Sequence, residues 1–326
     1  MDLDVQNQPN KNKDLISHRG HREHRERQEA RSQKTEVRRQ KSEESKQKKN
    51  KLPTVYCLLL TYCSLLFLIA CSSPPPENMV YIPPGKFIMG SAENIDNEKS
   101  FEYGFAKPWI ADASPHREIY LEGYYIDKYE VSNADYGKFV KATGHRPPDH
   151  WGKDSPPDKI ANHPVTNVSW HDALEYCKWR GKRLPTEEEW EKAARGTNGR
   201  LYPWGNEFDF SKANVSQNQS EETDTKDVKS YENGKSHYGV HNMVGNIWEW
   251  TLDWYKPYPG NTYKSEFFGE RFKVFRGNSY SRMGHFPKDK YERMIKEFSK
   301  VTFRFYSDPS GRFHDVGCRC VKQSDE

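Results

Sequence analysis

Thiols come first, because a thiolate is both a nucleophile and a soft-metal ligand. The 326-residue chain has six cysteines. Cys57, Cys63 and Cys71 lie in or at the end of an uncharged run, and Cys177, Cys318 and Cys320 lie far downstream. The stretch Val274-Phe275-Arg276-Gly277-Asn278-Ser279-Tyr280-Ser281-Arg282 carries none, and neither Arg282 nor the later Pro287 can supply a thiolate. His18, His21 and His24, three apart, have a spacing that could serve a metal. They stand among arginines that repel a cation, so they read as part of a solvated charged run.

Charge is uneven along the chain. Residues 1–54 hold 15 Lys+Arg against 9 Asp+Glu, leaving 36 against 38 for the rest. The excess of +4 therefore belongs to the amino-terminal arm. A near-neutral remainder argues against nucleic acid as a partner, since phosphate binding needs clustered cations. Up to about Lys51 the sequence is too polar to bury a core and is expected to be disordered, or to lie upstream of a true start near Leu52.

Residues 55–71 form an uncharged run a little short for a spanning helix of about 20 residues. With its basic flank from Lys46 to Lys51 it suits a signal-peptide core. Leu68-Ile69-Ala70-Cys71 resembles the bacterial lipobox, in which cleavage precedes a cysteine that then carries lipid. This makes Cys71 the lipidation site, with residues 72–78 as a tether; an uncleaved anchor is the alternative. Either places the following domain outside the cytoplasm, at the membrane of the cell envelope.

Met79 to Ser91 reads as a strand, a Pro-Pro-Gly turn and a second strand, a hairpin. Tyr124 to Tyr129 reads as a strand, followed by a helix capped by Ser132 or Asn133. A second helix is expected over Asp172–Trp179, with Ala173, Tyr176, Cys177 and Trp179 on one face and Gly181 as its stop. Arg183-Leu184-Pro185-Thr186-Glu187-Glu188-Glu189-Trp190 opens a third, with Thr186 and Glu189 as a capping box and Gly196 as its end. Tyr202 to Asn206 forms a rigid aromatic turn. Beyond the cysteine-free stretch, Tyr291, Met294, Ile295 and Phe298 predict an amphipathic helix with a basic face.

Together with Tyr238-Gly239-Val240-His241-Asn242-Met243-Val244-Gly245-Asn246-Ile247-Trp248-Glu249-Trp250-Thr251 and Arg276-Gly277-Asn278-Ser279, these motifs fall in one order over residues 79–322. In that order the chain resembles the formylglycine-generating enzyme (sulfatase-modifying factor) domain family. The resemblance implies an α+β fold, C-type lectin-like, loop-rich and a single compact domain. It implies a groove with Trp248, Ser279 and Arg304 in or near it. The family's enzymes oxidise a substrate cysteine with a cysteine pair, and those positions here match Arg282 and Pro287.

Calcium is implied as well, through Asn242, Glu249 and the carbonyls of Gly245 and Ile247. Oxygen ligands around a glycine turn suit a hard cation, although Asn242 and Glu249 could equally hold a buried turn by hydrogen bonds. A second site would use Asn214 and the Val215 carbonyl, with Glu221, Glu222 or Asp224 as the carboxylate. Cys177 and Cys320 match a family disulfide, with separate buried thiols as the alternative, and Cys318 stands where a phenylalanine is usual. One lone cysteine cannot replace a copper-binding pair, so copper is not expected.

Three functions follow. The first is a non-catalytic envelope lipoprotein that binds a peptide, glycan or partner protein. The second is a formylglycine-type oxidase acting on protein cysteine through a relocated nucleophile, Cys318. Iron-dependent relatives need an added histidine-bearing domain, which the arm and anchor displace here. The third is a scaffold within an envelope complex.

Overall fold

The computed structural model describes residues 31, 35–43, 76–92, 110–216, 224–282, 284 and 286–324. The apolar run 55–71 with Cys71, the histidines at 18, 21 and 24, and Glu221 and Glu222 lie outside these residues. Among the described residues no helix is long and apolar enough to cross a membrane. Within the amino-terminal unit, Met1–Pro74, residues 35–43 are an exposed helix where the composition predicts disorder. The departure has a local cause: Thr35 Oγ1 donates to the Arg31 carbonyl, and Arg39 pairs with Glu43 one turn on.

The second unit, Pro75–Glu326, contains three sheets and four longer helices among its described residues. Strand β1 (Met79–Ile82) pairs antiparallel with β4 (Tyr124–Asp127), and β4 with β9 (Val321–Gln323). Strand β2 (Gly85–Met89) pairs with β3 (Arg117–Leu121) in a sheet of its own. The expected hairpin of β1 on β2 is therefore not formed. Pro83 and Pro84 between them have no amide hydrogen to give a ladder, and Gly85, at φ 135°, turns the chain into a different sheet. The third sheet orders β7 (Phe305–Ser307), β6 (Lys273–Arg276), β5 (Trp248–Trp254) and β8 (Val316–Gly317). All its pairings are antiparallel except β5 with β8.

The helices form where caps and apolar spacing place them. Helix α1 (Asn133–Thr143) starts at Ser132, whose side chain accepts from the Asp135 amide, and ends at left-handed Gly144. Helix α2 (Trp170–Trp179) begins two residues before the expected start, at a capping box of Ser169 and Asp172. Ala173, Tyr176 and Cys177 are buried, whereas Trp179 remains 39% exposed at the helix end. Helix α3 (Glu187–Arg195) has the Thr186–Glu189 capping box and stops at Gly196. Helix α4 (Lys288–Phe298) buries Tyr291, Met294, Ile295 and Phe298, as its spacing requires.

The main core is built largely of rings, with Tyr124, Tyr136, Tyr176, Trp190, Trp250 and Phe298 all buried in it, while Phe87 and Met89 of β2 form a smaller cluster with Tyr258. The α2 end is tied to the loop before β9 by the Cys177–Cys320 disulfide. Strand β4 ends at Asp127 rather than Tyr129 because Asp127 turns inward: its carboxylate accepts from Lys182 Nζ at 2.5 Å and the Cys320 amide at 2.9 Å.

Candidate functional site

Strand β6 leads into Ser279, one of the residues implied for the groove. After Arg276 the backbone enters the left-handed region at Gly277 (φ 105°) and Asn278 (φ 64°). A Cβ on Gly277 would lie 3.1 Å from the Trp190 ring and 3.2 Å from the Met243 carbonyl, so helix α3 and the following loop require glycine here. Asn278 tolerates its conformation and fixes it, donating to Ser299 Oγ at 2.9 Å and accepting from the Ser279 amide at 2.8 Å. Ser279 Oγ then donates to Asp315 Oδ2 at 2.7 Å and accepts from the Ser281 amide at 3.2 Å. Ser281 Oγ lies 2.8 Å from His314 Nε2.

Trp248 meets Ser279 through Asp315, because the Trp248 amide donates to the Asp315 carbonyl at 2.9 Å. Its ring packs against Phe275, Phe303 and the partly exposed Phe305. The Tyr280 hydroxyl is pushed up to about 12 by burial and then by the Asp224 and Asp315 carboxylates, so it stays protonated. The cluster around Ser279 is thus hydroxyls, an imidazole and a carboxylate. Such groups recognise amides and hydroxyls by hydrogen bonds; none is a thiolate.

Arg304 lines a cavity with Tyr258 and Lys273. It is 1% exposed, and its guanidinium holds Glu187 through Nε at 2.8 Å and Nη2 at 2.7 Å. Pro287 is the residue before helix α4, and Arg282 is exposed. The free thiol among the described residues is Cys318. It is fully buried, and burial followed by the Glu249 and Asp127 charges pushes its thiol far up, the reverse of an activated thiolate.

Among the residues implied for calcium, Glu249, Asn242 and Asn214 are each engaged by protein groups. Both Glu249 oxygens accept from Arg319, Oε2 from Nε and Oε1 from Nη2 at 2.6 Å each, and Oε2 also from the Trp190 indole at 2.8 Å. A divalent cation on Glu249 would face that guanidinium, so Glu249 does not fit the implied set. Asn242 is turned to Glu130 and the Val228 carbonyl, and Asn214 to the Asp224 carbonyl and Asn246 Oδ1. The Gly245 amide donates to the Gly277 carbonyl, which ties the Gly245–Ile247 turn to the groove strand. Val215 is buried beside Asn214. Adding calcium to metal-stripped protein is expected to leave the melting temperature where it was. A rise of several degrees would show that calcium binds, and its loss in Glu249→Gln would show that Arg319 yields Glu249 to the ion.

The comparisons bear on this geometry. Residues 70–324 match the sulfatase-modifying factor enzyme 1-like domain. This chain belongs to that family. The formylglycine-generating enzyme of Streptomyces coelicolor is 32% identical over 307 residues, covering 76% of this chain and 90% of that protein. The mouse inactive Cα-formylglycine-generating enzyme 2 is 28% identical over 84% of this chain and 94% of its own length. Bacillus subtilis YfmG is 32% identical over 76% of this chain, but the chain spans only 54% of YfmG. Among solved structures, PvdO from Pseudomonas aeruginosa has a TM-score of 0.55 at 22% identity, over 78% of this chain and all of PvdO. Treponema denticola variable protein 1 has a TM-score of 0.56 at 18% identity, over 76% and 95%. These share the mixed α and β, loop-rich fold expected from the motifs.

Sequence reasoning named Ser279 and Trp248 but missed what joins them. Asp315, His314 and Ser281 carry no motif of their own, and only the pairing of β5 with β8 brings residues 314 and 315 to Ser279.

Proposed function

We propose that this protein is a non-catalytic member of its family, tethered to the cell envelope by lipid on Cys71, whose groove binds a peptide segment of an envelope partner. The observation that carries the reading is chemical. Around Ser279 the side chains able to contact a substrate are Ser281, His314 and Asp315, while the described thiols are either the Cys177–Cys320 disulfide or the buried Cys318. Hydrogen-bonding groups such as Ser281 and His314 favour holding an extended chain over oxidising it. The relatives called inactive in mouse and cattle, 28% and 29% identical, support the same direction. The lipobox-like Leu68-Ile69-Ala70-Cys71 supports the tether.

The rival reading is an oxidase with Cys318 as its nucleophile. The test is to incubate the full chain with oxygen and a sulfatase-type cysteine peptide, with and without copper, and follow formylglycine by mass spectrometry. No product is expected. Turnover would overturn the proposal, and its loss in Cys318→Ser would place the nucleophile at that buried thiol.

A further inference from the structure

A cavity lies where β3, the start of α3 and the end of β5 meet, with Arg304 on its wall but neither Ser279 nor Trp248. Its volume is about 460 Å³, and Arg117, Glu187, Asp253, Trp254, Tyr258 and Lys273 are among its walls. Three of these side chains are in unusual states. Lys273 is 4% exposed, and its Nζ sits 3.7 Å from the Trp254 ring centre and 4.1 Å from that of Trp170. Its hydrogen bond goes to the Leu252 carbonyl at 2.8 Å, and no carboxylate among the described residues forms an ion pair with it. Burial pushes its amine down to about 8 with help from Lys256, against the opposing Asp253 and Glu270 charges.

Asp253 accepts from the Glu187 amide at 2.7 Å, and burial and then the Glu187 charge push its carboxyl up to about 6. Arg117 lies over the Tyr258 ring at 4.6 Å and gives Nη2 to Glu188 at 3.0 Å, while its Nη1 is buried without a hydrogen-bond partner. An amine without an ion-pair partner, an acid near neutrality and an unused guanidinium nitrogen therefore share one cavity. Lys192 marks the contrast. It is also buried and donates to two carbonyls, of Pro83 and Gly85, but it is not on this wall.

We propose that Lys273 is a carbonyl-reactive amine and that this cavity takes a small oxo acid, its carboxylate held by Arg117 and its carbonyl carbon presented to Lys273 Nζ. The lone pair of the neutral amine forms the C–N bond, and the carbonyl π pair moves to oxygen, which takes a proton from the Asp253 carboxyl. The nitrogen returns a proton to Asp253, and a second transfer from Asp253 releases the hydroxyl as water. The product is an imine plus one water, with no change of oxidation state. A desolvated lysine in an apolar slot is a recognised way to make an amine nucleophilic near neutral pH.

The test is to expose the full chain to glyoxylate with cyanoborohydride near neutral pH, which reduces any imine to a stable amine, and to map the modified lysine. Lys273 is expected to label roughly tenfold or more faster than surface lysines, because far more of it is neutral there. Lys273→Arg should remove that label. Arg117→Gln should cut glyoxylate labelling roughly tenfold and leave acetaldehyde labelling unchanged, since only the acid uses the guanidinium. Labels on exposed lysines with Lys273 untouched would overturn the proposal, and equal losses for both aldehydes would overturn the oxo-acid assignment. Should Lys273→Arg fail to fold, the pH profile of labelling in the natural protein decides. Half-maximal labelling near pH 8 supports the reactive amine, and a profile matching the surface lysines rejects it.

Discussion

Replacing Glu187 by alanine is expected to cost this domain about 3–5 kcal/mol, enough to bring a protein of ordinary stability close to unfolding. Glu187 is 4% exposed and is shared by two arginines: Arg304 binds it through two nitrogens and Arg276 through Nη1 at 2.7 Å. Arg276 itself is wholly buried and gives its other terminal nitrogen to Glu191 and the Val301 carbonyl, both at 2.6 Å. Removing the carboxylate leaves two desolvated cations competing for what remains, and burial without that charge is the dominant cost. Urea unfolding of Glu187→Ala against the natural chain measures it. A loss under about 1 kcal/mol would mean that water reaches both guanidiniums.

The same cluster sets a pH limit. Burial alone would raise the Glu187 carboxyl, but Arg304 and Arg276 outweigh it and hold the group below its ordinary value of 4.5. A carboxylate depressed in the fold stabilises fully above that ordinary value, and its contribution is lost as the pH falls through the lower folded value. Acid should therefore unfold the domain through this cluster. The exposed Lys86–Glu118 pair, by contrast, can be removed with no measurable shift.

The second large effect belongs to the disulfide. Cys177 and Cys320 are 143 residues apart in sequence and join helix α2 to the loop before β9. By chain entropy, a loop of this length restricts the unfolded state by about 5 kcal/mol, and removal of natural disulfides costs about 2–5 kcal/mol. The double variant Cys177→Ser, Cys320→Ser is the cleaner test, because it leaves no thiol to rearrange with the neighbouring Cys318. Its melting temperature is expected to fall by on the order of ten degrees. A shift of a degree or two would show that the unfolded chain is already held compact by other contacts.

Local elements were legible in the residues because their signals are local. The Thr186–Glu189 capping box, the Ser132 cap and the apolar spacing of Tyr291, Met294, Ile295 and Phe298 act within a few residues, and each element formed where those signals lie. The β1–β2 hairpin failed for the opposite reason: strand pairing is a choice among distant partners, and Pro83-Pro84 blocked the near one.

Charged side chains were the least legible. Glu249 and Arg304 carry the residue types of a metal ligand and a groove wall, yet each is buried against an opposite charge: Glu249 against Arg319, 70 residues on, and Arg304 against Glu187, 117 residues back. A carboxylate beside a cation and one awaiting a cation look the same in a sequence. The sequence by itself determined the family and the match of Cys177 with Cys320. Only the tertiary structure decided which charges are already neutralised, which strands pair, and that Asp315 and His314 meet Ser279 and Ser281. Those outcomes depend on burial and on partners far away in the chain, which spacing does not encode.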